Sequence, residues 1–124
     1  MRRRLFDRIG SFDERFFAYG EDVDLAVRAR EAGARILHVP WAHVKHQVGA
    51  TFRRTTGEAS RFRLATANLV RLERKHARWY HWPSFVVWFG VRWMMFLTAK
   101  SLVRGEWRTA AAVWRGCAAG ASRS

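Results

Sequence analysis

Apolar side chains recur at helical spacing through the second half of the chain. Four of them lie three or four positions apart within residues 58–78: Phe62, Ala65, Leu69 and Leu72. The other side of this stretch is mostly Arg and Lys, so the pattern predicts a long amphipathic helix. After a break at residues 79–83, with Ser84 as a cap, the sequence predicts a second helix at 85–104. A third is predicted at 106–119, beyond Gly105.

The first half of the chain follows a mixed pattern. Residues 5–19 are rich in aromatic side chains and are broken by Gly10 and Ser11, which predicts a short helical turn and then a loop held by its aromatics. A helix is predicted to open at Gly20 and to end at Gly33. Three carboxylates crowd its first turn, where they favour the helix dipole: Glu21, Asp22 and Asp24.

The segment after this helix has a strand pattern. Residues 34–39 alternate and contain Ile, Leu and Val, which predicts a strand that Pro40 ends, and residues 41–47 could form a second extended stretch. The sequence therefore predicts an α/β arrangement of short helices with one or two strands, followed by a mostly α-helical basic tail. We divide the chain into two segments, residues 1–57 and the tail at residues 58–124.

Charge divides the chain in the same way. It has 23 Lys and Arg against 10 Asp and Glu, a net charge of +13. Residues 1–57 carry 11 basic and 7 acidic side chains, whereas residues 58–124 carry 12 basic and 3 acidic ones. Such an excess indicates anionic partners, which include nucleic acid, anionic lipid and phosphorylated substrates. The single cysteine, Cys117, excludes an internal disulfide and a cysteine-based zinc site.

One segment carries a specific set of residues. Residues 12–25 read FDERFFAYGEDVDL, followed by Arg28, Ala32-Gly33, Ile36, Val39-Pro40 and His46. This ordered set resembles the acceptor-side half of family-2 glycosyltransferases of the rhamnosyltransferase-like kind, and the related galactosyltransferase C-terminal domain. The resemblance covers about residues 5–50. The tail is similar to these enzymes only in having a long basic helix followed by amphipathic helices. The resemblance implies the acceptor-side half of a GT-A-type fold.

The resemblance implies roles for three residues. Asp22 matches the family's catalytic base, which takes the proton of the acceptor hydroxyl. Glu21 matches the neighbouring residue that binds the acceptor, and His46 matches the histidine that reaches the metal or the diphosphate. The implied activity transfers a sugar from a nucleotide sugar to a glycan or lipid-linked acceptor in cell-surface polysaccharide synthesis. A divalent metal, Mg²⁺ or Mn²⁺, is implied together with the family's nucleotide-binding half.

Simpler interpretations exist for the same residues. Glu21 and Asp22 could only cap a helix, and His46 could be an ordinary histidine at a strand end. Asp24 is expected to cap the helix or to pair with Arg28 four positions on. The aromatic residues Phe16, Phe17 and Tyr19 are expected to anchor the loop rather than to stack on a sugar.

The sequence also departs from the family. Family members begin with a nucleotide-binding half. Neither its strand–Gly-rich turn–helix unit nor its Asp-X-Asp metal motif occurs ahead of the aromatic loop in this sequence. Asp22-Val23-Asp24 has that spacing but belongs to the acceptor-side string. We therefore expect a carboxy-terminal fragment or one part of a split enzyme, which is inactive without a separate nucleotide-binding half.

The tail contains an apolar run at residues 85–99, with Arg92 as its single charge. A spanning helix needs about 20 apolar residues, and a central Arg costs roughly 2.5–3.5 kcal/mol on insertion scales. These figures favour a helix that lies on an anionic membrane surface, with Trp88, Arg92 and Trp93 at the interface. The expected location is cytoplasmic, peripheral to the inner face of the membrane. The alternatives are a helix that spans the membrane and a helix that packs on the missing half of the enzyme, with its tryptophans in the core.

Two other functions compete with the transferase. A nucleic-acid-binding module would explain the charge, since arginines alternate with aromatics, but no nucleic-acid motif occurs and the cations lie beside apolar helices. A small membrane-surface protein without catalysis would explain the tail alone. The residue set around Asp22 favours the glycosyltransferase over both.

Overall fold

The computed structural model describes residues 3–45 and 57–122, and every regular element within these residues is helical. The helices are α1 (Arg3–Ile9), α2 (Glu21–Glu31), α3 (Glu58–His76), α4 (Trp79–Val103) and α5 (Trp107–Ala121). Helix α4 begins with a 3₁₀ turn at Trp79–His81 and contains a π-helical segment at Val86–Met94. The predicted helices of the tail are therefore confirmed.

Glycine in the left-handed conformation ends two of these helices. Gly33 has φ +81° and follows α2, where the Ala34 N–H donates to the Ala29 carbonyl at 2.9 Å. Gly105 has φ +71° and ends α4 in the same way, with the Glu106 N–H 2.8 Å from the Ser101 carbonyl. Glycine takes this conformation without a Cβ penalty. Both helix ends were predicted from these glycines.

Two glycines of α5 let it approach α3 closely. A Cβ added at Gly116 would lie 2.2 Å from the Arg63 carbonyl oxygen, and one added at Gly120 would lie 2.4 Å from the Ala67 carbonyl oxygen. The contacts advance together by four residues along both helices, so α3 and α5 run in the same direction. This Gly-x-x-x-Gly contact places the two backbones next to each other. The sequence analysis did not identify it.

The apolar core lies among α3, α4 and α5. Its buried members are Val70, Phe89, Met94, Leu97 and Val113, with Phe62, Phe85 and Cys117 packed at its edge. Full burial of each such side chain stabilises the fold by about 1.5–3 kcal/mol. The Trp114 indole N–H also donates to the Thr98 hydroxyl at 3.1 Å, which joins α5 to α4. The tail is thus a small helical bundle with α3 as one of its walls.

The predicted α/β class is wrong for the described residues, because no strand occurs in them. Residues 34–39, the predicted strand, form no regular element, and Ile36 and Leu37 are exposed. A strand needs a neighbouring strand to accept its backbone hydrogen bonds. The described part of the chain supplies no such neighbour, so the apolar alternation there stays unpaired.

The predicted break at residues 79–83 is also wrong. Helix α4 begins at Trp79, so only residues 77–78 separate it from α3. Ser84 does not cap the helix; its hydroxyl donates to the His81 carbonyl at 2.8 Å. Pro83 fits here because it lies in the first turn of the α-helical segment Trp82–Phe85, where its missing N–H is not needed.

One face of α4 is apolar and exposed. The exposed side chains there include Val86, Val87, Trp88, Val91, Trp93, Met95 and Phe96. Helix α4 has 25 residues, and by length and composition alone it could cross a membrane. Its length is about 37 Å at 1.5 Å per residue, against a hydrocarbon core of about 30 Å. The helix is longer than the apolar run at 85–99 had indicated.

Candidate functional site

The turn that leads into α2 has an unusual backbone. Tyr19 and Gly20 both have left-handed φ values, +69° and +96°. A non-glycine residue in this region is strained by roughly 1–2 kcal/mol. Asn68, which is buried on α3, offsets the strain by donating its side-chain N–H groups to the Ala18 carbonyl at 2.6 Å and to the Tyr19 carbonyl at 3.0 Å. Helix α3 therefore fixes where α2 begins.

Phe16 packs against the same turn at Gly20. Its side chain is only 4% exposed, and its ring would lie 3.6 Å from a Cβ added at Gly20. The expectation that Phe16 anchors the loop is confirmed. The same expectation is wrong for Phe17, which is 80% exposed and is free to contact a ligand or another surface.

Glu21 and Asp22 are the first two residues of α2, directly after this fixed turn. The Asp22 side chain is exposed, and its Oδ1 accepts a hydrogen bond from the Val23 N–H at 2.9 Å. The Oε2 atom of Glu21 is buried and has no hydrogen-bond partner among residues 3–45 and 57–122. A buried carboxylate oxygen without a donor is destabilising. The site therefore holds one accessible carboxylate and one that lacks a donor.

Asp24 forms a buried polar junction between α2 and α3. It is fully buried, and its Oδ2 accepts from Arg28 Nε at 2.8 Å. Its Oδ1 lies 2.7 Å from His76 Nε2 and 2.7 Å from Lys75 Nζ. The predicted pairing with Arg28 is confirmed. We call the set Asp13, Asp24, Arg28, Lys75 and His76 the polar junction.

Electrostatics hold the Asp24 carboxyl ionised. Burial works to raise the pKa of Asp24, but hydrogen bonds from Lys75, His76 and Arg28 together outweigh it, and the pKa lies below its ordinary value. Asp13 follows the same direction, because its hydrogen bond from Arg15 and then that from Lys75 hold its pKa well below the usual range. The junction thus keeps two carboxylates charged beside Arg28, Lys75 and His76.

Arg28 extends the junction to the start of the chain. Its guanidinium donates to the Ile9 carbonyl and, at 2.7 Å, to the Ser11 carbonyl. Arg8 reaches back from α1 to the Ala32 carbonyl at 3.2 Å. The end of α1, the turn after it, α2 and the end of α3 therefore meet around one carboxylate.

Three residues of α3 that sequence reasoning missed build this site: Asn68, Lys75 and His76. Lys75 and His76 lie at the basic end of the predicted amphipathic helix, whose Arg and Lys had been assigned to the side opposite its apolar positions. The signal for Asn68 was present, because it lies among the apolar positions of α3 and a buried amide needs partners. Contacts from these residues cross the boundary placed between residues 57 and 58.

The predicted site residues fall into separate places. Glu21 and Asp22 lie together at the start of α2. His46 lies outside the described residues. Trp88, Arg92 and Trp93 are exposed on α4, with the Arg92 guanidinium 5.0 Å from the centre of the Trp88 ring. That stacking gives the central charge of the apolar helix a partner.

The described residues do not fit a metal centre by themselves. Within 3–45 and 57–122, no group of three His, Cys, Asp or Glu side chains could hold a metal ion. Asp24 and His76 do touch, but Arg28 and Lys75 already occupy the carboxylate. The divalent metal implied by the resemblance stays a prediction.

An apolar groove of about 470 Å³ lies beside the start of α2. It is bounded by Tyr19, Gly20 and Val23 on one side and by Trp93 of α4 on the other. Its floor is α3, which contributes Arg61, Phe62, Ala65, Thr66, Asn68, Leu69 and Leu72. The groove therefore connects the turn that fixes Glu21 and Asp22 with the exposed helix.

Comparison with known proteins points to one kind of enzyme. The chain is 36% identical over 86 residues to N-acetylglucosaminyl-diphospho-decaprenol L-rhamnosyltransferase of Mycobacterium tuberculosis, a match that covers 67% of this chain and 27% of that protein. It is 37% identical over 59 residues to Rhamnosyltransferase WbbL of Escherichia coli, which covers 48% of this chain and 22% of that protein. The chain spans about a quarter of the length of these curated relatives. No family model and no solved structure matches it. These similarities support a relationship to glycosyltransferases.

Proposed function

We propose that this chain carries the acceptor-side part of a family-2-type glycosyltransferase that moves a hexosyl group, rhamnosyl by similarity to its relatives, from a nucleotide sugar to a lipid-linked acceptor. The observation that carries the proposal is the pair of carboxylates at the start of α2. Asp22 is accessible, and Glu21 beside it has a buried oxygen without a donor in the described residues. Asp22 can therefore reach an acceptor hydroxyl directly, and Glu21 beside it keeps an unfilled hydrogen-bond acceptor.

In this proposal Asp22 is the general base. The acceptor hydroxyl gives its proton to an Asp22 carboxylate oxygen, and the hydroxyl oxygen bonds to the anomeric carbon of the donor sugar. The bond from that carbon to the diphosphate breaks, and its electron pair leaves with the nucleoside diphosphate. Attack from the face opposite the leaving group inverts the configuration at the anomeric carbon. Glu21 holds the acceptor while this happens.

The strained turn suits this role because it sets the two carboxylates in one position. Asn68 fixes the Ala18 and Tyr19 carbonyls, and Phe16 packs under Gly20. Correct positioning of a base and a reactant is a large part of catalysis, and a displacement of about 1 Å costs about 10²-fold in rate. The polar junction joins α2 to the end of α3 and supports that placement.

The acceptor is proposed to be lipid-linked because apolar surface lies next to the carboxylates. The groove between α2 and Trp93 is mostly apolar, and it leads to the exposed face of α4. We propose that this face lies on the anionic inner surface of the membrane, where the exposed tryptophans enter the interface and the basic residues contact headgroups. The lipid part of the acceptor then reaches the site without leaving an apolar environment.

Binding of the donor's nucleoside and sugar is assigned to the part of the relatives that this chain does not align with. The relatives are about four times longer than the stretch they share with it. We therefore expect the 124-residue chain alone to transfer no sugar.

The proposal is tested in a chimera in which this chain replaces the matching 86-residue stretch of the Mycobacterium tuberculosis relative. The chimera is expected to transfer rhamnose to the N-acetylglucosaminyl-diphospho-lipid acceptor. Glu21→Gln is expected to raise the acceptor KM by about tenfold or more, since charge-assisted hydrogen bonds contribute about 1.5–3 kcal/mol. Glu14→Gln, at an exposed glutamate of the preceding loop, is the control. An acceptor KM that is the same for both variants would remove Glu21 from the acceptor site.

A further inference from the structure

A second cavity, distinct from the apolar groove, lies beside the last turns of α3. It has a volume of about 260 Å³ and is lined by four cations, Arg15, Arg71, Arg74 and Lys75. Phe16 and Gly120 complete its walls with Ser122. We call it the cationic cleft. It is slightly smaller than pockets for drug-sized ligands, which measure roughly 300–1,000 Å³.

The cations of the cleft outnumber their acidic partners. Asp13 pairs with Arg15 at 2.7 Å and with Lys75 at 2.7 Å, and Lys75 also reaches Asp24. Arg71 and Arg74 have no carboxylate partner among the described residues. Arg71 donates to the Asn68 side-chain oxygen at 2.8 Å, and Arg74 donates to the Ala121 carbonyl. The cleft therefore keeps uncompensated positive charge, although like charges held together destabilise a fold unless an anion joins them.

The cleft contacts the turn at residues 18–20, which leads into Glu21 and Asp22. Its wall residue Phe16 packs under Gly20, the residue before Glu21. Arg71 holds the same Asn68 side chain that fixes the Ala18 and Tyr19 carbonyls. An anion that draws Arg71 toward the cleft therefore acts on the residue that positions the turn.

We propose that the cationic cleft binds a diphosphate group. Guanidinium groups donate paired hydrogen bonds to phosphate oxygens, and two neighbouring arginines with a lysine match the charge of two linked phosphates. The identity of that diphosphate rests on the proposed function. It is the diphosphate of a lipid-linked acceptor or that of the leaving nucleotide, and both present the same group to the cleft.

Calorimetric titration of the full chain in detergent with inorganic pyrophosphate tests the site. We expect saturable binding that weakens about tenfold or more in Arg71→Gln/Arg74→Gln, because the double variant loses two charged donors to the phosphate oxygens. The matched control is Arg63→Gln/Arg78→Gln, which removes two exposed arginines on and just after the same helix, outside the cleft. Arg74→Gln alone is measured too, since it leaves the Arg71 bond to Asn68 intact.

Competition identifies the source of the diphosphate. Stronger displacement of pyrophosphate by geranyl diphosphate assigns the cleft to the acceptor, and stronger displacement by uridine or thymidine diphosphate assigns it to the leaving group. Absence of saturation, an equal loss in both double variants, or competition by phosphatidylglycerol vesicles alone overturns the proposal.

The two proposals fail separately. A chimera that transfers sugar, built on a chain that binds no pyrophosphate, rejects the cleft and keeps the proposed function. A chain that binds pyrophosphate within a chimera that transfers nothing keeps the cleft and rejects the function.

Discussion

Two regions of this molecule meet on α3 and are stabilised by different interactions. On one side, the polar junction joins α2 to α3 through a fully buried Asp24 and its partners Arg28, Lys75 and His76. On the other, α4 and α5 pack on α3 through apolar side chains and the close approach of Gly116 and Gly120. On the apolar side, the stability lost by a substitution grows with the side-chain volume removed. On the polar side, the loss of any one partner leaves a buried polar group without its hydrogen bond. The candidate chemistry lies on the side that depends on exact pairing.

The largest expected effect on stability is at the polar junction. Asp24→Ala leaves Arg28, Lys75 and His76 without their shared carboxylate and should lower the free energy of unfolding by about 3–5 kcal/mol. Urea unfolding of the full chain measures it, with Asp7→Ala, an exposed aspartate of α1, as the control. Equal unfolding midpoints for the two variants would mean that the junction contributes nothing.

The same junction gives stability an acid dependence. The folded pKa of Asp24 lies below its ordinary value of 3.8, so the stabilisation is complete above pH 3.8 and is lost as the pH falls through the lower, folded pKa. Asp13 adds a dependence of the same sign. Asp24→Ala should therefore lose less stability than the wild type on acidification, because only the Asp13 part is left.

The next largest effect on stability is expected on the apolar side, where α5 packs on α3. Gly116→Ala places a Cβ against the Arg63 carbonyl and should force α5 away from α3, at about 1–3 kcal/mol, which is typical of overpacking. Gly57→Ala is the control, because a Cβ there meets no atom within 4 Å. Thermal unfolding followed by circular dichroism compares them. A normal melting temperature for Gly116→Ala would show that the helices do not need this contact.

The sequence predicted interactions between residues close together in the chain, but not those between residues far apart. Helix ends at Gly33 and Gly105, and the pairing of Asp24 with Arg28, follow from local spacing and were predicted. The contacts of Asn68 and His76 join positions about 50 residues apart, and no local pattern specifies them. The strand at 34–39 was wrong because alternation shows only which face would be apolar, and the pairing partner must come from elsewhere.

The smallest expected effect on stability concerns the exposed face of α4. Trp88→Ser/Phe96→Ser should change the free energy of unfolding by no more than about 0.5 kcal/mol per site, because both side chains are largely exposed. Binding to phosphatidylglycerol vesicles should weaken about tenfold or more, since each aromatic contributes roughly 1.5–3 kcal/mol when buried. Vesicle flotation measures it. An equal loss in Leu37→Ser/Val44→Ser, exposed residues outside α4, would argue against this face.

The central claim is that Asp22 is a base and that Asp24, two residues away, is structural. The most direct test is the turnover of the Asp22→Asn chimera at saturating donor and acceptor. We predict a kcat lower by about 10²–10⁴-fold, the usual contribution of a general base. The unfolding midpoint should match that of the parent, because Asp22 is exposed and has no ion pair among the described residues. A kcat close to that of the parent chimera would contradict the account and leave Asp22 as a residue that only begins α2.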